Sequence, residues 1–95
     1  MRGATNWDRY AARKLRDPRF RAAADGQLAI LRVGVEIAKL REGRGLTQTQ
    51  LAAMLGTTAS AISRIENGAN ITLKMLARIA EKLRARAEIR LRPVA

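Results

Sequence analysis

The chain has 95 residues, enough for one compact domain with a modest core and too few for two. Lys and Arg number 19 against 8 acids, a formal charge of +11, so a polyanion is the first partner to consider. With neither Cys nor His, the usual thiolate and imidazole metal ligands are missing, and no spacing of the acids assembles an acid and base pair; no metal, no cofactor and no enzymatic role are expected.

The positive excess is spread along the chain, with +4 over residues 1–26 and +3 over residues 84–95, so no single polybasic tail explains it. The first residues lack the apolar stretch of a secretion signal. Apolar runs are short: residues 28–31 stop at Arg32 and residues 51–55 at Gly56, far short of the roughly 20 residues that span a bilayer. A cytoplasmic protein that does not enter a membrane is expected.

Trp7, Tyr10, Ala11, Lys14 and Leu15 stand at helical spacing and predict a short amphipathic helix over residues 7–16, ended by Asp17-Pro18. Phe20 follows, and residues 22–24 allow one more turn before Asp25-Gly26 breaks the chain. Over residues 27–42 the apolar positions form two overlapping stripes: Ile30, Val33, Ile37 and Leu40, then Leu31, Val35 and Ala38. They predict a central helix buried over a broad face. Gly43 and Gly45, on either side of Arg44, supply the turn that follows.

Thr47 with Gln50 three residues later is a capping box, in which the hydroxyl accepts an orphan amide and the Gln reaches back. A helix is therefore predicted from Gln48, with Leu51, Ala52, Met54 and Leu55 inward and Gly56 at its close. Thr57 or Thr58 caps the next helix, which carries Ala61, Ile62 and Ile65 at core spacing and stops at Asn67-Gly68. Thr72 caps a further helix through about Arg84. The period then changes to two: Ala87, Ile89 and Leu91 alternate with Glu88, Arg90 and Arg92 as far as Pro93, a strand signal.

Two helices flanking a very short turn suit DNA when the second has polar side chains on one side and apolar anchors on the other. Thr58, Ala59, Ser60, Ser63 and Arg64 lie on the side that Ala61, Ile62 and Ile65 leave open, and they are the candidate base readers. Arg64 leads them, because its planar fork bonds both major-groove acceptors of guanine.

Leu46-Thr47-Gln48, Leu51-Ala52, Leu55-Gly56, Ala61-Ile62-Ser63-Arg64-Ile65-Glu66 and Asn67-Gly68 resemble the Cro/C1-type (XRE) helix-turn-helix family over about residues 37–83. The resemblance implies an all-α, five-helix, lambda-repressor-like domain. The chain then divides into an N-terminal helical extension over residues 1–26, the helix-turn-helix domain over 27–84 and a short C-terminal β-strand over 85–95. The family further implies phosphate contacts by Thr47, Gln48 and Asn67, and a partly buried ion pair of Arg41 with Glu66 joining the core helix to the end of the recognition helix. Charge alone adds Arg44 and Lys74 as phosphate candidates. Ala59 departs from the family, where Gln is frequent at the matching position, so the operator sequence is not readable from this chain.

The flanks, Trp7, Tyr10, Leu15, Asp17-Pro18 and Phe20 ahead of the motif and Ala87-Glu88-Ile89-Arg90-Leu91 after it, more loosely resemble HigA-type antitoxins. That resemblance implies a ribonuclease toxin of HigB/RelE type as partner, and repression of the shared promoter. Trp7, Tyr10, Leu15 and Phe20 are its candidate docking residues, and folding back on the core helix is their alternative role. The positive charge runs against this reading, since such ribonucleases are themselves basic.

A lone strand needs a neighbour. Ala87, Ile89 and Leu91 are candidates for pairing with a second copy, which gives a homodimer suited to a palindromic double-stranded DNA operator. The alternatives are pairing with a toxin's sheet edge and a disordered basic tail on phosphates. A stand-alone phage- or plasmid-type repressor and an RNA-binding or assembly module are the rival functions.

Overall fold

The structure is a computed structural model that describes residues 6–94, apart from the side chains of Trp7, Leu15 and Phe20. Among the described residues the chain forms five α-helices: α1 (Asn6–Arg16), α2 (Pro18–Gly43), α3 (Gln48–Leu55), α4 (Ala59–Glu66) and α5 (Leu73–Lys82). Asp17 separates the first two, its carboxylate accepting the Arg19 amide at 2.9 Å. Pro18 opens α2 at a position where its missing N–H is no loss.

The break expected at Asp25-Gly26 does not occur, and α2 runs unbroken for 26 residues. Strong helix formers flank the pair, three alanines before it and Leu28-Ala29 after it. A single helix-interior glycine costs only about 1 kcal/mol relative to alanine, too little to end a helix so supported. A Cβ on Gly26 would meet nothing within 4 Å. Gly26→Ala is therefore expected to raise stability by about 0.5–1 kcal/mol, read as a higher denaturant midpoint at unchanged slope.

The broad burial expected for this helix is also not observed. Among the described side chains of α2 only Gly34 and Ile37 are buried, with Val33 packed at the edge of the core, while Leu31, Val35 and Leu40 remain 40–45% exposed. Length explains this. At about 1.5 Å per residue α2 is roughly 39 Å long, and α3 and α4, of 8 residues each, cover one stripe of it. Its N-terminal half meets the body at Asn67 and Gly68, through Ala24, Gln27 and Leu28.

Ile37, Leu51, Ala52, Leu55, Ile62, Ile79 and Leu83 form the core, and Leu46, Ile65, Ile71, Met75 and Leu76 pack around them. It lies between α3, α4, α5 and the second half of α2. Met54, expected to point inward, is 42% exposed. The core row of α3 is completed by Leu51, Ala52 and Leu55 without it.

Beyond α5, Arg84 takes a left-handed φ of 54°, and the Ala85 amide donates to the Ala80 carbonyl at 2.8 Å, closing the helix. The expected strand does not follow. Residues 85–94 have no regular secondary structure, and Ala87, Ile89 and Leu91 are exposed, Leu91 almost fully. Alternation marks a segment fit for a ladder, but the described residues contain no second strand to complete one.

Candidate nucleic-acid interface

Local hydrogen bonds fix where α3 and α4 begin. The Gln50 amide donates to Thr47 Oγ1 at 3.0 Å and the Thr47 amide to Gln50 Oε1 at 2.8 Å, so the capping box is complete. At the other end of α3, Gly56 adopts a φ of 70°, a left-handed conformation that disfavours any residue with a Cβ. Chain reversal there is so tight that Thr58 already caps α4, accepting the Ala61 amide at 3.1 Å. Arg78 adds a brace, its Nη2 donating to the Leu55 carbonyl at 2.9 Å.

Apolar anchors then decide which way each helix faces. Leu51, Ala52 and Leu55 hold α3 in the core, while Ile62 is fully buried and Ile65 half-buried on α4. Ser60, Arg64 and Asn67, at i, i+4 and i+7, are all exposed. They make a row about 10 Å long on the outer side of α4. Thr58 is exposed at its start, and Ala59 and Ser63 flank it half-buried.

Glu66 lies on the inner side of α4 and organises the edge of this surface. Arg41 grips its carboxylate with two bonds, Nε to Oε2 at 2.7 Å and Nη2 to Oε1 at 3.0 Å, and Arg41 Nη1 donates to the Leu46 carbonyl at 2.8 Å. Gln48 Nε2 donates to Glu66 Oε1 at 3.0 Å. Burial works to raise the Glu66 pKa, but the hydrogen bonds from Arg41 and Gln48 and the Arg41 charge outweigh it, leaving the carboxyl below its ordinary 4.5. One carboxylate thus ties α2, the turn before α3, and the ends of α3 and α4 together.

Among the candidate site residues, Arg41, Glu66 and Gln48 are brought into contact, one residue from Asn67, whose Nδ2 donates to the Ser63 carbonyl at 2.7 Å. Thr47 is exposed at the start of α3, and Lys74 is exposed in the first turn of α5. Arg44 is directed elsewhere. Its Nε and Nη2 donate to the carbonyls of Leu83 and Arg84, at 3.0 and 3.2 Å, where the negative end of α5 attracts a cation.

Of the candidate docking residues, Tyr10 is 45% exposed with Lys14 Nζ 5.6 Å from its ring centroid. The side chains of Trp7, Leu15 and Phe20 lie outside the described residues. Ala87 and Ile89 line a groove of about 260 Å³ with Val33, Ile37, Leu40 and Leu83, and Leu91 lies beyond it.

Sequence reasoning missed two supports of this site. A Cβ on Gly34 would lie 2.5 Å from the Ile65 carbonyl oxygen and 2.8 Å from that of Glu66, so α2 touches the end of α4 at a point where only glycine fits. The signal was a glycine inside the apolar run Val33-Gly34-Val35. Arg78 carried no signal, being one more cation on an amphipathic helix.

Two short helices, a three-residue turn and a polar outer row on a buried second helix define a DNA-binding helix-turn-helix protein. A family model described as helix-turn-helix matches residues 37–88, more than half of the chain. The chain belongs to this family, of the Cro/C1 (XRE) type. Comparison with the curated proteins and with the solved structures gave no match. Among the described residues no helix is long and apolar enough to cross a membrane.

Proposed function

We propose that the protein is a sequence-specific transcriptional repressor that lays α4 in the major groove of an operator. The observation that carries this reading is the exposed row of Ser60, Arg64 and Asn67 backed by fully buried Ile62. Arg64 reads guanine, and Thr58, Ala59, Ser60 and Ser63 border the same bases. Gln48, with one amide hydrogen engaged by Glu66, turns its second toward a phosphate; Thr47, Asn67 and Lys74 hold the neighbouring backbone.

Selection of bound duplexes from a random pool tests this reading. The wild-type protein is expected to enrich a defined sequence, and Arg64→Ala to lose preference at one position of it. Specific binding should weaken by about 1–3 kcal/mol while binding to bulk DNA is nearly kept. Equal loss on both would remove Arg64 from the readers, and no enrichment by the wild type would favour an RNA-binding or assembly role.

The reading extends to assembly and biology. Residues 87–91, alternating in sequence and without a ladder partner, pair antiparallel with a second copy and give a homodimer on a palindromic operator, with half-sites about one DNA turn apart. The biological role we favour is that of an antitoxin, whose N-terminal hairpin docks a HigB/RelE-type ribonuclease. Support comes from exposed Tyr10, Leu28 and Leu31 on a hairpin outside the matched family region. Co-purification with a ribonuclease encoded beside it would support this role, and a protein that represses without such a partner would be a stand-alone repressor.

A further inference from the structure

On α1, Arg9, Arg13 and Arg16 recur at i, i+4 and i+7 and border one shallow hollow with Asn6 and Ala12. Helical spacing puts this row opposite Ala11, which alone among the described side chains of α1 is half-buried. None of the three arginines has an acidic partner among the described residues. Residues 6–21 hold six cations against Asp8 and Asp17, and Asp17 is engaged as the cap of α2. Like charges at this spacing repel one another on a bare helix, and a row of anions removes the repulsion.

Position narrows the choice of anion. The first half of α2 passes the end of α4: Ala24, Gln27, Leu28 and Leu31 share a hollow with Asn67 and Gly68, and a Cβ on Gly68 would sit 3.2 Å from Leu31 Cδ1. The hairpin therefore starts at the Asn67 edge of the interface, and from residue 27 to residue 18 it extends about 14 Å outward. The molecule is 46 Å in its longest dimension, against about 34 Å for one turn of DNA. A duplex seated on α4 that runs on past Asn67 along the first half of α2 would reach α1. Arg9 and Arg16 are about 10 Å apart along the helix, with Arg13 between them, and each guanidinium can fork onto a phosphate.

We propose that Arg9, Arg13 and Arg16 form a second DNA-backbone contact, which takes two or three phosphates flanking the sequence read by α4. The contact is independent of base sequence and rests on α4 being seated in the groove. It lengthens the footprint without altering the operator.

The test uses the full chain and a mixed-sequence duplex of about 30 base pairs, titrated at several salt concentrations with the wild type and with Arg9, Arg13 and Arg16 all replaced by Ala. The slope of log K against log salt should fall by about 2–3, close to 0.9 per lost phosphate, with affinity down by about 10-fold or more at low salt. A triple Lys variant should keep most of the slope, and a duplex too short to reach the hairpin should bind wild type and Ala variant alike. Alanine favours helix at these exposed positions, so helicity by circular dichroism should be unchanged.

Unchanged slope and affinity on the long duplex, with the wild type still bound, would overturn the proposal and leave the repressor reading standing. Loss of poly-glutamate binding in the Ala variant, with DNA binding intact, would overturn it in favour of an acidic polypeptide. A wild type that binds neither duplex would overturn both readings.

Discussion

Replacing Arg41 with alanine is expected to destabilise the fold by about 3–5 kcal/mol, the largest effect of any exchange at the site. The side chains of Arg41 and Glu66 are only 12% and 6% exposed, so removing the guanidinium leaves a carboxylate in poor solvent with the Gln48 amide as its remaining partner. Glu66→Ala should cost less. Arg41 would still donate to the Leu46 carbonyl and face Glu42, 3.6 Å away and well exposed. Thermal melts of the two variants and the double variant give the order and the coupling between them.

The same pair sets an acid limit. The Glu66 pKa is lowered in the folded chain, so its contribution is fully present above the unfolded value near 4.5 and is lost as pH falls through the lower folded one. Without Arg41, burial is left to raise the carboxyl, and protonation relieves the damage. The deficit of Arg41→Ala should therefore begin to shrink above pH 4.5, as the variant's raised carboxyl takes up its proton, and shrink further below it as the wild type loses its own contribution, visible as converging melting temperatures. A deficit that stays constant between pH 7 and pH 3 would show that the loss is one of packing and not of charge.

Gly34→Ala is the second large effect, at about 2–3 kcal/mol. The new methyl would sit 2.5 and 2.8 Å from two main-chain oxygens, and neither can rotate away as a side-chain end would. To admit it, α2 must separate from the end of α4, where Glu66 and Asn67 sit, so DNA affinity should fall with stability. Gly26→Ala in the same helix is the control. Both exchanges raise helix propensity equally, yet they should move the denaturant midpoint in opposite directions, because only one of them meets a neighbour.

The helix pair was legible in the sequence because its determinants are local. A capping box, a left-handed glycine and a capping threonine act within a few residues of their own positions, and Ile62 needs only the helical period to be placed inward. Elements whose fate depends on distant partners were not legible. Asp25-Gly26 reads as a break until Ala24, Gln27 and Leu28 on either side of it are seen beside Asn67 and Gly68, and the stripe of Leu31 and Val35 reads as core until the shortness of α3 and α4 is known. The alternation after Arg84 is real, but a strand is a property of two segments, and one chain supplies one of them.

At the candidate site the same division holds. The outward row of α4 follows from periodicity, whereas the carbonyls that Arg44 reaches are some 40 residues away in sequence and carry no mark. Gly34 was written in the chain as a glycine inside a helix, but its meaning depends on which backbone lies across from it.

Because α2 crosses Asp25-Gly26 without a hinge, the hairpin and the Gly34 contact belong to one stiff strut. A joint there would let the far end swing without consequence. As built, a load applied at its far end would be delivered as torque to the carboxyl end of α4. On the proposed reading, engagement at one extremity and the alignment of α4 would be mechanically geared to each other.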